Sequence, residues 1–96
     1  MAQEKNFENK VKEILKSKGA YLVKQFGCGF TKTGIPDLLV CYKGRFIAVE
    51  LKADNGKASP LQLYNLEEVK KAGGYSFLLY PKDLPMFINF LNSLEG

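Results

Sequence analysis

The sequence predicts a small α/β domain in the order αβββαβ, with a four-stranded mixed sheet and one further helix at the C-terminal end. Three observations predict it. Two β-rich runs, Asp37 to Tyr42 and Arg45 to Lys52, flank Lys43-Gly44, a two-residue connection with glycine where a hairpin turn needs positive φ. Three other stretches repeat their apolar residues at helical spacing. One of these separates the hairpin from a last β-rich run, and a helical crossover of that kind makes its two strands parallel. A chain of 96 residues has room for one domain, residues 1–96, with one modest core and no appended recognition domain.

The first helix runs from about Gln3 to Lys18, where Phe7, Val11, Ile14 and Leu15 recur on one arc and Gly19 provides a stop. Glu8 falls just beyond the edge of that arc. It either pairs with Lys12 at i, i+4 or leans into a cleft, and Glu4 is the second acidic candidate on this helix. Ala20 to Phe26 reads as a strand with Tyr21, Val23 and Gln25 on one side and Leu22, Lys24 and Phe26 on the other. Lys24 interrupts an apolar face, so its ammonium either snorkels to the sheet edge or reaches a phosphate. Residues 27–34 follow as a glycine-rich connector, with Lys32 placed to touch a substrate just ahead of the next strand.

After the hairpin, Ala53 to Ala58 is polar and turn-rich, and Lys57 on it is a candidate nucleic-acid contact. Ser59-Pro60-Leu61-Gln62 opens the second helix with an N-cap serine, proline at the first position and glutamine at the third, which makes a capping box. The helical wheel places Gln62 among Leu61, Val69 and Ala72 on the buried side. Gly73-Gly74 ends the helix, and Tyr75 to Tyr80 forms the fourth strand. Pro81-Lys82-Asp83 turns the chain, with Asp83 as cap of a last helix from Leu84 to about Leu94. Leu84, Phe87, Ile88 and Leu91 supply its core face. Met86 and Phe90 widen the apolar arc, either as a surface for a second copy of the chain or as cover for another edge of the same core.

The two-residue turn sets the hairpin register, so Tyr42 opposes Arg45 and Asp37 opposes Glu50, and opposed residues share a face. Alternation puts Lys52 on that face as well. Two carboxylates about 4.5 Å apart repel by several kcal/mol at an effective dielectric near 20, and a cation relieves this. Hard divalent ions such as Mg²⁺ take such oxygen ligands together with water and phosphate oxygens. A solvated face with a Glu50–Lys52 ion pair is the plainer alternative.

These residues carry a family resemblance. Ile35-Pro36-Asp37 followed, twelve residues later, by Glu50-Leu51-Lys52 resembles the signature of the PD-(D/E)xK nuclease superfamily. More narrowly, Gly34-Ile35-Pro36-Asp37, Ala48-Val49-Glu50-Leu51-Lys52 and Ser59-Pro60-Leu61-Gln62 resemble the VRR-NUC domain, the virus-type replication and repair nuclease module. The resemblance implies a restriction-endonuclease-like fold and a metal-dependent, structure-specific endodeoxyribonuclease. It implies Glu8, Asp37, Glu50 and the main-chain carbonyl of Leu51 as ligands of Mg²⁺ or Mn²⁺, Lys52 beside the attacking water, and Gln62 in an auxiliary role. Stand-alone members of this length, from phage and bacteria, suggest a homodimer that cuts branched DNA such as four-way junctions. A flap or nicking nuclease, or a nucleic-acid-binding subunit active only in a larger complex, is the alternative.

Composition agrees with a polyanion as partner: 14 Lys and Arg stand against 10 Asp and Glu, for a net charge of +4. The chain has no histidine, and Cys28 and Cys41 have no metal-ligand spacing, which argues against zinc and histidine chemistry. Free thiols, a polar N-terminal stretch and no apolar run near the roughly 20 residues that span a bilayer point to the cytoplasm of a bacterial or phage-infected cell.

Overall fold

The computed structural model describes residues 2–25 and 34–96. Lys32 and Cys28 lie outside the described residues, as does the body of the glycine-rich connector. Helix α1 (Ala2–Ser17) is followed by strands β1 (Tyr21–Lys24), β2 (Leu38–Tyr42) and β3 (Arg45–Leu51), helix α2 (Pro60–Lys71), strand β4 (Tyr75–Leu79) and helix α3 (Leu84–Ser93). The four strands lie side by side in chain order, β1, β2 and β3 antiparallel and β4 parallel to β3. This is the αβββαβ order with its extra helix.

The hairpin has the expected register, with Tyr42 opposite Arg45 and Leu38 opposite Val49. Lys43 and Gly44 both adopt positive φ, +51° and +76°, so the turn twists with the strands it joins. One sheet face carries Leu38, Val40, Tyr42, Ile47, Val49, Leu51 and Leu79 into a core with Phe7, Val11 and Leu15 of α1 and Phe87 and Leu91 of α3. At its edge, Lys18 binds Glu95 and Asn92 while the Tyr42 hydroxyl donates to Glu95, tying the end of α1 to the end of α3.

The other face is covered along β3 and β4 by α2, whose Leu66 carbonyl accepts from the buried Ser76 hydroxyl. The buried side of α2 differs from the wheel expectation: it is centred on Asn65 and Leu66, while Leu61 and Ala72 are exposed. The apolar residues of the helix are spread around it, with Leu61, Leu63 and Tyr64 exposed, so docking on β4, rather than a hydrophobic stripe, decides its rotation.

One expectation for the C-terminal segment is corrected. Asp83 makes no side-chain bond to the start of α3; its Oδ2 accepts from the Tyr80 N–H and closes a single 3₁₀ turn, Pro81–Asp83. Of the two readings of Phe90, the structure shows cover for the chain's own core, with its ring 4.9 Å from Tyr75 and 4.8 Å from Phe77 between ring centres. Of the widened apolar arc, Met86 is exposed.

Candidate active site

Asp37 sits one residue before β2, beyond the last β2–β3 pair, Leu38 with Val49, while its carbonyl still accepts from the Gln25 N–H at 2.8 Å. The side chain takes over the ladder: Asp37 Oδ2 accepts from the Leu51 N–H at 2.9 Å. Asp37 is thereby pinned to the end of β3, beside Glu50. Glu50 is only 1% exposed, and its Oε2 lies 3.5 Å from the Lys52 ammonium. Its Oε1 is buried and has no hydrogen-bond partner among the described residues. Burial and the neighbouring Asp37 charge push the Glu50 carboxyl up to about 7, against the opposite pull of Lys52. The hairpin thus brings two carboxylates and one lysine together at one end of the sheet.

Glu8 approaches from α1 and is also buried, at 7% exposure. It is held by lysines. Oε1 accepts from the Lys24 ammonium at 3.0 Å, and Oε2 lies 3.3 Å from Lys12 and 3.5 Å from Lys5. Burial opposes its charge, but these lysines outweigh it and hold its carboxyl below the usual glutamate range. Of the two sequence readings of Glu8, the structure shows the pair with Lys12. Lys24 lies 3.8 Å from Asp37 Oδ1 as well, so it links the α1 acid to the hairpin acid. Among the described residues no three His, Cys, Asp or Glu side chains are gathered closely enough to hold a metal ion.

Gln62 serves the capping box: its Oε1 accepts from the Ser59 N–H at 2.8 Å, while its own N–H donates to Ser59 Oγ at 3.1 Å. Only the side-chain amide nitrogen is left for another role. Lys57 is exposed on a cleft of about 600 Å³ shared with Asn55, Tyr80 and Lys82. Gly56 forms the wall between that cleft and the site, because a Cβ there would come within 3.2 Å of Lys52 Cβ.

Among solved structures, one described as a VRR_NUC domain is 26% identical, with 97% of this chain and 90% of that chain covered and a TM-score of 0.71. The chain has the VRR-NUC nuclease fold. Archaeoglobus fulgidus Hjc, a Holliday junction resolvase from an archaeal hyperthermophile, is similar at 19% identity over 80% of this chain and 69% of that chain, with a TM-score of 0.59. At that identity the likeness is one of fold. No protein-family model and no curated protein sequence matches.

In the VRR-NUC fold of this chain, residues outside the acids also position them, through contacts the sequence does not show. Gly34 adopts φ +85° with its Cα against α2, where a Cβ would lie 2.8 Å from Leu61 Cγ and 2.9 Å from Asn65 Nδ2. Asn65 is buried there and donates to the Leu61 carbonyl. The signal for Gly34 was its place before Ile35-Pro36-Asp37, but the contact itself crosses some thirty residues of chain. Lys5, three residues before Glu8, was legible from helical spacing alone.

Proposed function

We propose that the chain is a metal-dependent, structure-specific endonuclease that cuts branched DNA, four-way junctions included, as a homodimer. The observation that carries the proposal is Glu50: a buried carboxylate with an oxygen lacking a hydrogen-bond partner among the described residues, next to a second carboxylate and a lysine. A carboxyl so placed is stabilised either by a proton or by a cation, and the all-oxygen donor set fits a hard divalent ion. Asp37 and Glu50 would hold Mg²⁺ or Mn²⁺, with the Leu51 carbonyl and Glu8 as further ligands. Such an ion supplies polarisation of the scissile phosphate and a lowered pKa for water.

The chain's own side chains do the rest. The Lys52 ammonium, kept near the site by Glu50, stabilises negative charge growing on the phosphate and orients the attacking water. The Gln62 amide nitrogen donates to a phosphate oxygen or that water. Lys57, Lys32 and Lys24 are proposed backbone contacts, with Lys82 on the same cleft as Lys57.

DNA as substrate is supported by the net positive charge and by the two similar structures, one a VRR_NUC domain and the other a Holliday junction resolvase. For the dimer, α3 offers Met86, and the second sheet face adds exposed Tyr21, Val23 and Phe46. A two-fold dimer presents two sites to a symmetric junction.

The test is cleavage of a labelled four-way junction beside linear duplex, flap and single strand, with Mg²⁺, Mn²⁺ or EDTA, using wild type and Lys52→Ala. Paired symmetric cuts that vanish with EDTA and with the variant are expected. Flap or nick cleavage alone would replace the junction reading, and no metal-dependent cleavage of any substrate would refute the nuclease.

A further inference from the structure

We propose that Lys24 is a stand-in cation: without a divalent ion its ammonium neutralises Asp37 and Glu8 together, and a divalent ion bound at Asp37 displaces it. The inference rests on the metal reading above and adds a competitor within the chain. Lys24 is the last paired residue of β1, opposite Leu38, on the face that holds the apolar core. An ammonium is costly there, and it is carried past the end of the sheet to lie 3.0 Å from Glu8 Oε1 and 3.8 Å from Asp37 Oδ1. It thus stands between two of the three acids that the sequence assigns to one site.

The charges are unequally shared. Glu8 keeps Lys5 and Lys12 if Lys24 moves away. Asp37 has no such reserve: among the described residues Lys24 is its ion-pair partner, since Lys52 is paired with Glu50. A divalent ion on Asp37 and an ammonium within 4 Å of the same oxygen repel strongly. Binding the ion therefore requires Lys24 to swing away, and the free energy of its ion pairs is subtracted from the affinity. The released ammonium remains tethered beside the site, where a substrate phosphate can take over from the carboxylates. Glu8 Oε1, which Lys24 held, is then available to the ion, while Oε2 stays with Lys5 and Lys12.

The experiment is Mn²⁺ titration of the full chain, followed by calorimetry and by the Mn²⁺ electron paramagnetic resonance signal at pH 8. Lys24→Met, Lys24→Arg and Asp37→Asn are compared with wild type, and thermal melts with and without Mn²⁺ check folding. Lys24→Met is expected to bind Mn²⁺ about tenfold more tightly than wild type, to melt lower in EDTA, and to gain more from Mn²⁺. Lys24→Arg is expected to stay near wild type. Equal or weaker binding by folded Lys24→Met, with wild-type binding still lost in Asp37→Asn, overturns the stand-in role and leaves the metal site intact. Binding indifferent to Asp37→Asn in every background overturns the metal reading and this inference with it. Should Lys24→Met show no cooperative melt, Lys24→Gln carries the same comparison.

Discussion

Gly34→Ala tests whether the seat of the Asp37 segment on α2 is as tight as its geometry says. The added Cβ meets two separate penalties. At φ +85° an L-residue costs about 1–2 kcal/mol relative to glycine. The methyl group also enters space already held by Leu61 Cγ at 2.8 Å, Asn65 Nδ2 at 2.9 Å and the Leu61 carbonyl oxygen at 3.1 Å, and overpacking of this kind costs about 1–3 kcal/mol. The sum is about 2–5 kcal/mol, a large part of what so small a chain has to lose. Gly44→Ala is the internal control, because Gly44 has φ +76° but nothing within 4 Å of a Cβ, so it carries the backbone penalty alone. Urea unfolding of the three proteins should place Gly34→Ala well below Gly44→Ala, and junction cleavage should fall as the loop moves to relieve the clash and takes Asp37 with it. A Gly34→Ala protein as stable as Gly44→Ala and as active as wild type would refute the reasoning.

Further outcomes follow from the same geometry. The Glu50 carboxyl is raised from 4.5 to about 7 by burial and Asp37, so the native chain binds more protons than the unfolded one between these values, and its stability without divalent ions falls as pH rises through that window. Glu50→Gln removes this dependence. Relative to wild type it should gain on the order of 2 kcal/mol between pH 4.5 and 8, and urea midpoints that shift in parallel at every pH would contradict this. Ser59→Ala removes the bond from the Gln62 N–H to Ser59 Oγ but keeps the main-chain donor to Gln62 Oε1, and should cost about 1 kcal/mol in the same assay, while leaving Lys52 and the two carboxylates in place. Lys52→Met should reduce cleavage by about 10²-fold or more and push the Glu50 carboxyl higher still, measurable by carboxyl titration in carbon-detected NMR.

The parts legible in the sequence are those governed by neighbours along the chain. Lys43-Gly44 set the hairpin register, and alternation then placed Asp37, Glu50 and Lys52 at one end of it. The Ser59 to Gln62 cap, the parallel return of β4 and the core stripe of α1 are likewise short-range consequences of turn chemistry and period. Tertiary structure decided what depends on segments meeting across the sheet. The Asp37 carboxylate became a rung of the ladder to Leu51 because the paired stretch of β2 and β3 ends at Leu38 and Val49. Phe90 went inward because Tyr75 and Phe77 offered it rings, and α2 turned Asn65 rather than Leu61 inward because β4 and Gly34 were already there. Lys24 could be read from the sequence as a lysine on an apolar face; that it bridges Glu8 and Asp37 follows only once α1 and β2 are packed on either side of it. A local pattern specifies which face a side chain leaves from, whereas the charge or ring it finds there is supplied by a different part of the chain.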